Sequence, residues 1–100
     1  MSIHMTARFE VEKEALEVCK RAIQDFVDYV RTNEPGTILY TSLEEKEHPG
    51  RFLHYFIFRD DRARELHSNS DAVNRFTNIL YPNIVAPVEF TEFIVFATTK

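Results

Sequence analysis

Apolar and polar residues alternate from Thr6 to Val11: Ala7, Phe9 and Val11 point one way, and Thr6, Arg8 and Glu10 the other. A period of two marks a strand with one buried face. The period then lengthens. Leu16, Cys19, Ile23, Phe26, Val27 and Val30 recur at spacings of three and four, which predicts an amphipathic helix with one apolar stripe. Lys13, Glu17, Lys20, Arg21, Gln24, Asp28 and Arg31 fall largely on its wet side. Asn33-Glu34-Pro35-Gly36 stops the helix, since proline cannot continue it and glycine supplies the positive φ that a tight exit often needs.

A second strand is predicted from Thr37 to Leu43 and a third from Arg51 to Phe58, joined by a charged loop short enough for an antiparallel hairpin. The third strand is apolar on both faces, which predicts cover on both. Asp60 or Asp61 can cap a short helix that turns Ala63, Leu66 and His67 toward the sheet. Ser70 can cap another, with Val73, Phe76, Ile79 and Leu80 on its apolar side and Pro82 at its end. The last strand is predicted from about Val88 to Thr98, again apolar on both faces.

The order β-α-β-β-α-β is the split β-α-β pattern. It predicts one α+β domain over residues 1–100, ferredoxin-like, with a four-stranded antiparallel sheet and helices on one face. The other face would then expose apolar strands, and surface of that kind is normally an interface. A second copy stacked sheet to sheet would cover it, so a homodimer is expected.

Composition narrows the functions. With 44% apolar and 28% charged residues the chain is globular in type, and its net charge of −4 has no basic stripe for phosphates. Nucleic acid is therefore not an expected partner. The longest apolar runs are far below the ~20 residues that cross a bilayer. Met1-Ser2-Ile3-His4-Met5 lacks the basic and apolar regions of a signal peptide. Cys19 is the only cysteine, so no internal disulfide can form, and a reducing cytoplasmic compartment is expected.

Few residues carry candidate chemistry. His67 is the leading one, because imidazole exchanges a proton near neutrality. His54 shares a strand face with Phe52, Phe56 and Phe58 and could project into a cavity or into the dimer seam, although a buried histidine with a backbone partner is the commoner case. Tyr40, Tyr55 and Tyr81 could offer phenolic hydrogen bonds. Asp60 and Asp61 near His67 are the only local metal candidates and are better explained as caps, so no metal is expected. Cys19 lies on the helix stripe and reads as a core residue. There is no glycine-rich phosphate loop and no nucleophile elbow.

Four segments resemble the antibiotic-biosynthesis monooxygenase family of small dimeric α+β barrels. Glu34-Pro35-Gly36-Thr37 with Leu39-Tyr40 resembles the turn opening the family's second strand. Phe58-Arg59-Asp60-Asp61 with Ala63, His67 and Ser70 resembles the segment in which a tryptophan ends the third strand and a histidine lies nine residues on. Leu80-Tyr81-Pro82 and Phe90-Thr91-Glu92-Phe93 with Ala97-Thr98 resemble the last helix and strand. Characterised relatives oxidise phenolic or quinol-like aromatics with molecular oxygen and no cofactor. The resemblance thus implies a cofactor-independent monooxygenase acting on a small aromatic, with His67 as the catalytic group and Phe58, His54, Phe56, Phe76 and Tyr81 around the substrate. Two positions depart from the pattern: Phe58 replaces the tryptophan, and Phe56 stands where a glutamate is frequent. Phenylalanine neither donates nor accepts, which favours the alternative of a non-catalytic member that binds a small ligand or only dimerises. Haem degraders of the superfamily carry a first-strand asparagine and that tryptophan, and neither is present.

Overall fold

In the computed structural model, which describes residues 1–100, the chain runs β1 (Ile3–Glu10), α1 (Leu16–Asn33), β2 (Thr37–Glu44), β3 (Arg51–Phe58), α2 (Asp61–Ser68), α3 (Asp71–Leu80) and β4 (Glu89–Phe93). Short 3-10 turns at Lys13–Ala15 and Tyr81–Asn83 precede α1 and follow α3. The strands form one sheet in the order β2-β3-β1-β4, antiparallel at every step. The β-α-β-β-α-β order is as expected, with the second helical segment divided into α2 and α3.

Strand alternation puts Ile3, Ala7 and Phe9 of β1 and Phe52, His54, Phe56 and Phe58 of β3 on the covered face, all buried. The register sets Ala7 opposite His54 and Met5 opposite Phe56. α1 buries Cys19, Ala22, Ile23, Phe26 and Val30 against this face. α3 adds Ala72, Phe76 and Leu80, and Phe76 stacks on Phe26 with ring centroids 4.8 Å apart. Each buried phenylalanine contributes roughly 1.5–3 kcal/mol. The caps fall as the sequence suggests: Asp60 accepts from the Ala63 amide and Ser70 from the Val73 amide.

Several details differ from the sequence reading. β1 begins at Ile3, because its first residues pair with the end of β3, and Val11 makes only an isolated bridge with Ile84. β4 stops at Phe93, because Phe93 pairs with His4 and almost no β1 remains beyond it. Leu66 points outward at 63% exposure, while Ala63 and His67 make the inner side of α2. Ile79 is likewise half-exposed, and Ala72 takes the inner position on α3. Gly36 has no positive φ; that conformation belongs to Gly50, at 95°, in the hairpin loop. Gly36 is required by crowding: a Cβ there would lie 2.6 Å from the Cβ of Ala63. The missing side chain lets α2 dock against the exit of α1.

The opposite sheet face carries no helix. Leu39, Leu43 and Phe93 are exposed there or at its edge, and Ile94 and Phe96 project beyond β4. No helix is long and apolar enough to cross a membrane.

Candidate functional site

The site begins where α1 ends. Glu34 closes the helix, with its amide on the Val30 carbonyl, and its own carbonyl receives the Thr37 amide in the turn that starts β2. The Arg59 amide donates to the Gly36 carbonyl and fastens the end of β3 to the same turn. α2 follows two residues later, so His67 lands over Glu34. Nδ1 of His67 lies 2.8 Å from Oε1 of Glu34, and the Thr37 hydroxyl donates to that oxygen at 2.7 Å. A bulge at the start of β2 puts Thr37 opposite Phe58 and Tyr40 opposite Phe56, so that both turn inward although three residues apart.

Both side chains of the Glu34–His67 pair are only 10% exposed. Burial alone would raise the Glu34 carboxyl. The hydrogen bonds from His67 and Thr37 and the charge of a protonated His67 outweigh it and lower the pKa. An ionised carboxylate only accepts, so Nδ1 of His67 is the donor, and a neutral ring in this pose carries its lone pair on Nε2. Nε2 has no partner in the protein but is not sealed off; the only buried side-chain polar atom without a partner is Oε2 of Glu34.

His67 is part of the wall of a cavity of about 270 Å³ between the sheet and the helices. Phe26, Tyr40, Phe56, Phe58 and Phe76 form aromatic walls, with Met5, Ala7, Val73, Leu80 and Val88 between them. The His67 ring sits 5.0 Å from that of Phe58 and 5.5 Å from that of Phe26, centroid to centroid. Tyr81 and Phe90, both half-exposed, stand at the rim. Arg64 also borders the space, held by Glu92 at 2.9 Å and Asp61 at 2.7 Å. That bridge ties α2 to the edge strand β4.

His54 occupies the same cavity wall in a different state. It is fully buried, with Nδ1 2.7 Å from the Tyr40 hydroxyl and Nε2 2.9 Å from the Ser42 hydroxyl. Burial pushes its pKa down to about 4, so the ring is neutral. Burial, helped by the negative charge of Glu34, pushes the Tyr40 phenol up, so Tyr40 keeps its proton. The neutral ring therefore accepts from one of these hydroxyls and donates to the other. Neither nitrogen is left for a ligand.

His67, His54, Phe56, Phe58, Phe76 and Tyr81 thus line one cavity. Tyr55 does not: it lies on the open sheet face, where its hydroxyl meets Nδ1 of His4 at 2.9 Å. Cys19 is buried in the α1 core, and burial raises its thiol. No three His, Cys, Asp or Glu side chains converge to hold a metal ion. In the sequence, Glu34 reads only as part of a helix stop. One signal was available: a carboxylate at a helix C-terminus opposes the helix dipole, and such a residue calls for another partner.

The family model for "Antibiotic biosynthesis monooxygenase" matches residues 2–78. No curated protein matches the sequence. Among solved structures, a candidate antibiotic biosynthesis monooxygenase from Bacteroides thetaiotaomicron superposes with a TM-score of 0.91 at 16% identity, covering 99% of this chain and 93% of its own. One from Nitrosomonas europaea gives 0.88 at 15%, covering 99% and 94%. A variant of SnoaB, a cofactor-independent oxygenase from Streptomyces nogalater, gives 0.83 at 15%, covering 98% and 96%. At such identities these likenesses speak for the ferredoxin-like fold alone. It is the family match, over most of the chain, that places this protein in the antibiotic biosynthesis monooxygenase family.

Proposed function

We propose that this protein is a cofactor-independent monooxygenase for a small phenol or quinol. The reading rests on one observation: an aromatic-walled cavity of about 270 Å³ that includes a histidine with a free ring nitrogen. A cavity of about 150 Å³ already accepts benzene, so this one suits a substituted ring or a small fused pair. His67 takes the ring hydroxyl proton, and the phenolate carbon meets molecular oxygen in the dry pocket. One oxygen atom becomes a ring carbonyl and the other leaves as water. The ring carbon loses its hydrogen, and the substrate supplies all the electrons, so no cofactor is needed for balance. Oxygen uptake with a panel of phenols and quinols tests this. Turnover of at least one above the buffer rate is expected; no uptake with any ring that binds would refute it.

A second reading is favoured by Phe56 and Phe58, which give β3 no polar group at the cavity end. In that reading the protein binds an apolar ring without oxidising it, and calorimetry would show binding where the electrode shows nothing. In either case we infer a homodimer that covers Leu39, Leu43 and Phe93. An obligate interface of this type buries upward of roughly 2,000 Å². Sedimentation should give a dimer, and a stable monomer at micromolar concentration would remove the inference. A cytoplasmic setting suits the single reduced cysteine.

A further inference from the structure

Resting on the proton-abstraction reading above, we infer that Glu34 is the positioning residue of this site: it holds His67 with Nδ1 protonated and Nε2 bare toward the cavity, and it keeps the imidazolium there once His67 has taken a proton from an acidic ring hydroxyl.

Four observations carry this. Nδ1 of His67 and Oε1 of Glu34 are 2.8 Å apart, with both side chains nine-tenths buried. The Thr37 hydroxyl donates to the same oxygen at 2.7 Å, which fixes the carboxylate plane. Oε2 is buried with no donor at all, so the charge is answered at one oxygen and mainly by His67. A carboxylate so placed stabilises the ring's positive charge and dictates its tautomer, as in any acid–histidine pair. The other ionisable groups around the cavity are already committed: Tyr40 and His54 to each other, and Arg64 to Asp61 and Glu92. Tyr81 stands half-exposed at the rim. The Nε2 lone pair of His67 is thus the base that a bound hydroxyl meets.

The proton balance is closed. The O–H bond of the ligand breaks, an N–H bond forms at Nε2, and the electron pair stays on the phenolic oxygen. Glu34 keeps its charge throughout. No oxidant enters, so the step can be observed without turnover. The pair selects ring hydroxyls over ring ethers, which have no proton to give.

The test uses 4-nitrophenol, whose ionised form is yellow, with 4-nitroanisole as the ether control. At a pH about one unit below the pKa of the free phenol, wild-type protein should raise the ratio of ionised to neutral bound phenol at least tenfold over solution. Glu34→Gln should lose that gain while binding 4-nitroanisole as wild type does. Nitrogen-15 NMR of the wild-type protein should show His67 protonated at Nδ1 and bare at Nε2. That measurement needs no variant, and it decides the matter if Glu34→Gln misfolds or the phenol binds too weakly to read. Ionisation undiminished in Glu34→Gln, or a wild-type His67 protonated at Nε2 instead, would overturn the assignment. Ionisation as stated with no oxygen uptake would remove the oxidation reading and leave the Glu34–His67 pair standing.

Discussion

Two buried imidazoles face one cavity, and their surroundings make them opposites. His54 lies mid-strand, opposite Ser42 across the β2–β3 register, and hydroxyl groups occupy both its nitrogens. His67 lies on a short helix over the exit of α1, with a carboxylate on one nitrogen and no protein partner on the other. A ring satisfied on both sides and stripped of water is a neutral structural part. A ring satisfied on one side by an anion can take up charge at the other. Burial and aromatic neighbours are shared by both sites, so neither property separates them. The difference is the count of engaged nitrogens and the charge of the partner.

The contrast breaks most visibly in turnover. With a ring that the protein oxidises, His67→Ala should lower oxygen uptake by about 10²–10⁴-fold, the usual weight of a general base. Unchanged turnover in a folded variant would take His67 out of the chemistry.

Next in size is acid stability, where His54 should dominate. The unfolded chain protonates His54 near 6.5, and the folded chain only near 4. Between those values the unfolded state holds more protons, so stability is fully present above about pH 6.5 and falls as the pH drops through the window. The difference amounts to about 3 kcal/mol at most. Replacing the network as a unit, with His54→Leu, Tyr40→Phe and Ser42→Ala together, leaves no hydroxyl orphaned and should flatten urea-denaturation stability between pH 6.5 and 4. An equally steep profile in that variant would assign the acid sensitivity elsewhere.

Gly36→Ala sharpens the other half of the contrast. Its new methyl would meet Ala63 at 2.6 Å and push α2 off the α1 exit. A loss of about 1–3 kcal/mol is expected, the usual range for overpacking, together with a weakened Glu34–His67 contact seen as a shifted His67 resonance. A neutral substitution would mean that α2 can yield. The smallest effect is expected at Leu66, which the sequence placed inward and the structure places outward. Leu66→Gln should change stability by no more than about 0.5 kcal/mol. A loss of several times that would show that Leu66 is covered in the assembled protein.

These sites also mark how far the chain can be read without coordinates. The strands, α1 and the caps at Asp60 and Ser70 were legible, because period and capping are local properties. Five cavity residues were legible too, since Phe56, Phe58 and His54 alternate on one strand and His67 and Phe76 follow on inward helix faces. Glu34 was not, because its partner is 33 residues away and only the docking of α2 on Gly36 brings the two together. Nor was the saturation of His54, which depends on the exact pairing of Ser42 with it. The overlong last strand failed for a related reason: apolar alternation continues past Phe93, but the partner strand has run out.

If molecular oxygen oxidises a ring in this cavity without a cofactor, the substrate is the only electron donor. The most direct test is stoichiometry, measured on chelator-treated protein with an oxygen electrode, a peroxide assay and product analysis on the same sample. One O₂ consumed per ring oxidised, an oxygen atom added to the ring, and no hydrogen peroxide are expected. Uptake matched by released peroxide, with no oxygen added to the ring, would mean simple autoxidation of the quinol and would contradict the proposed oxygenation.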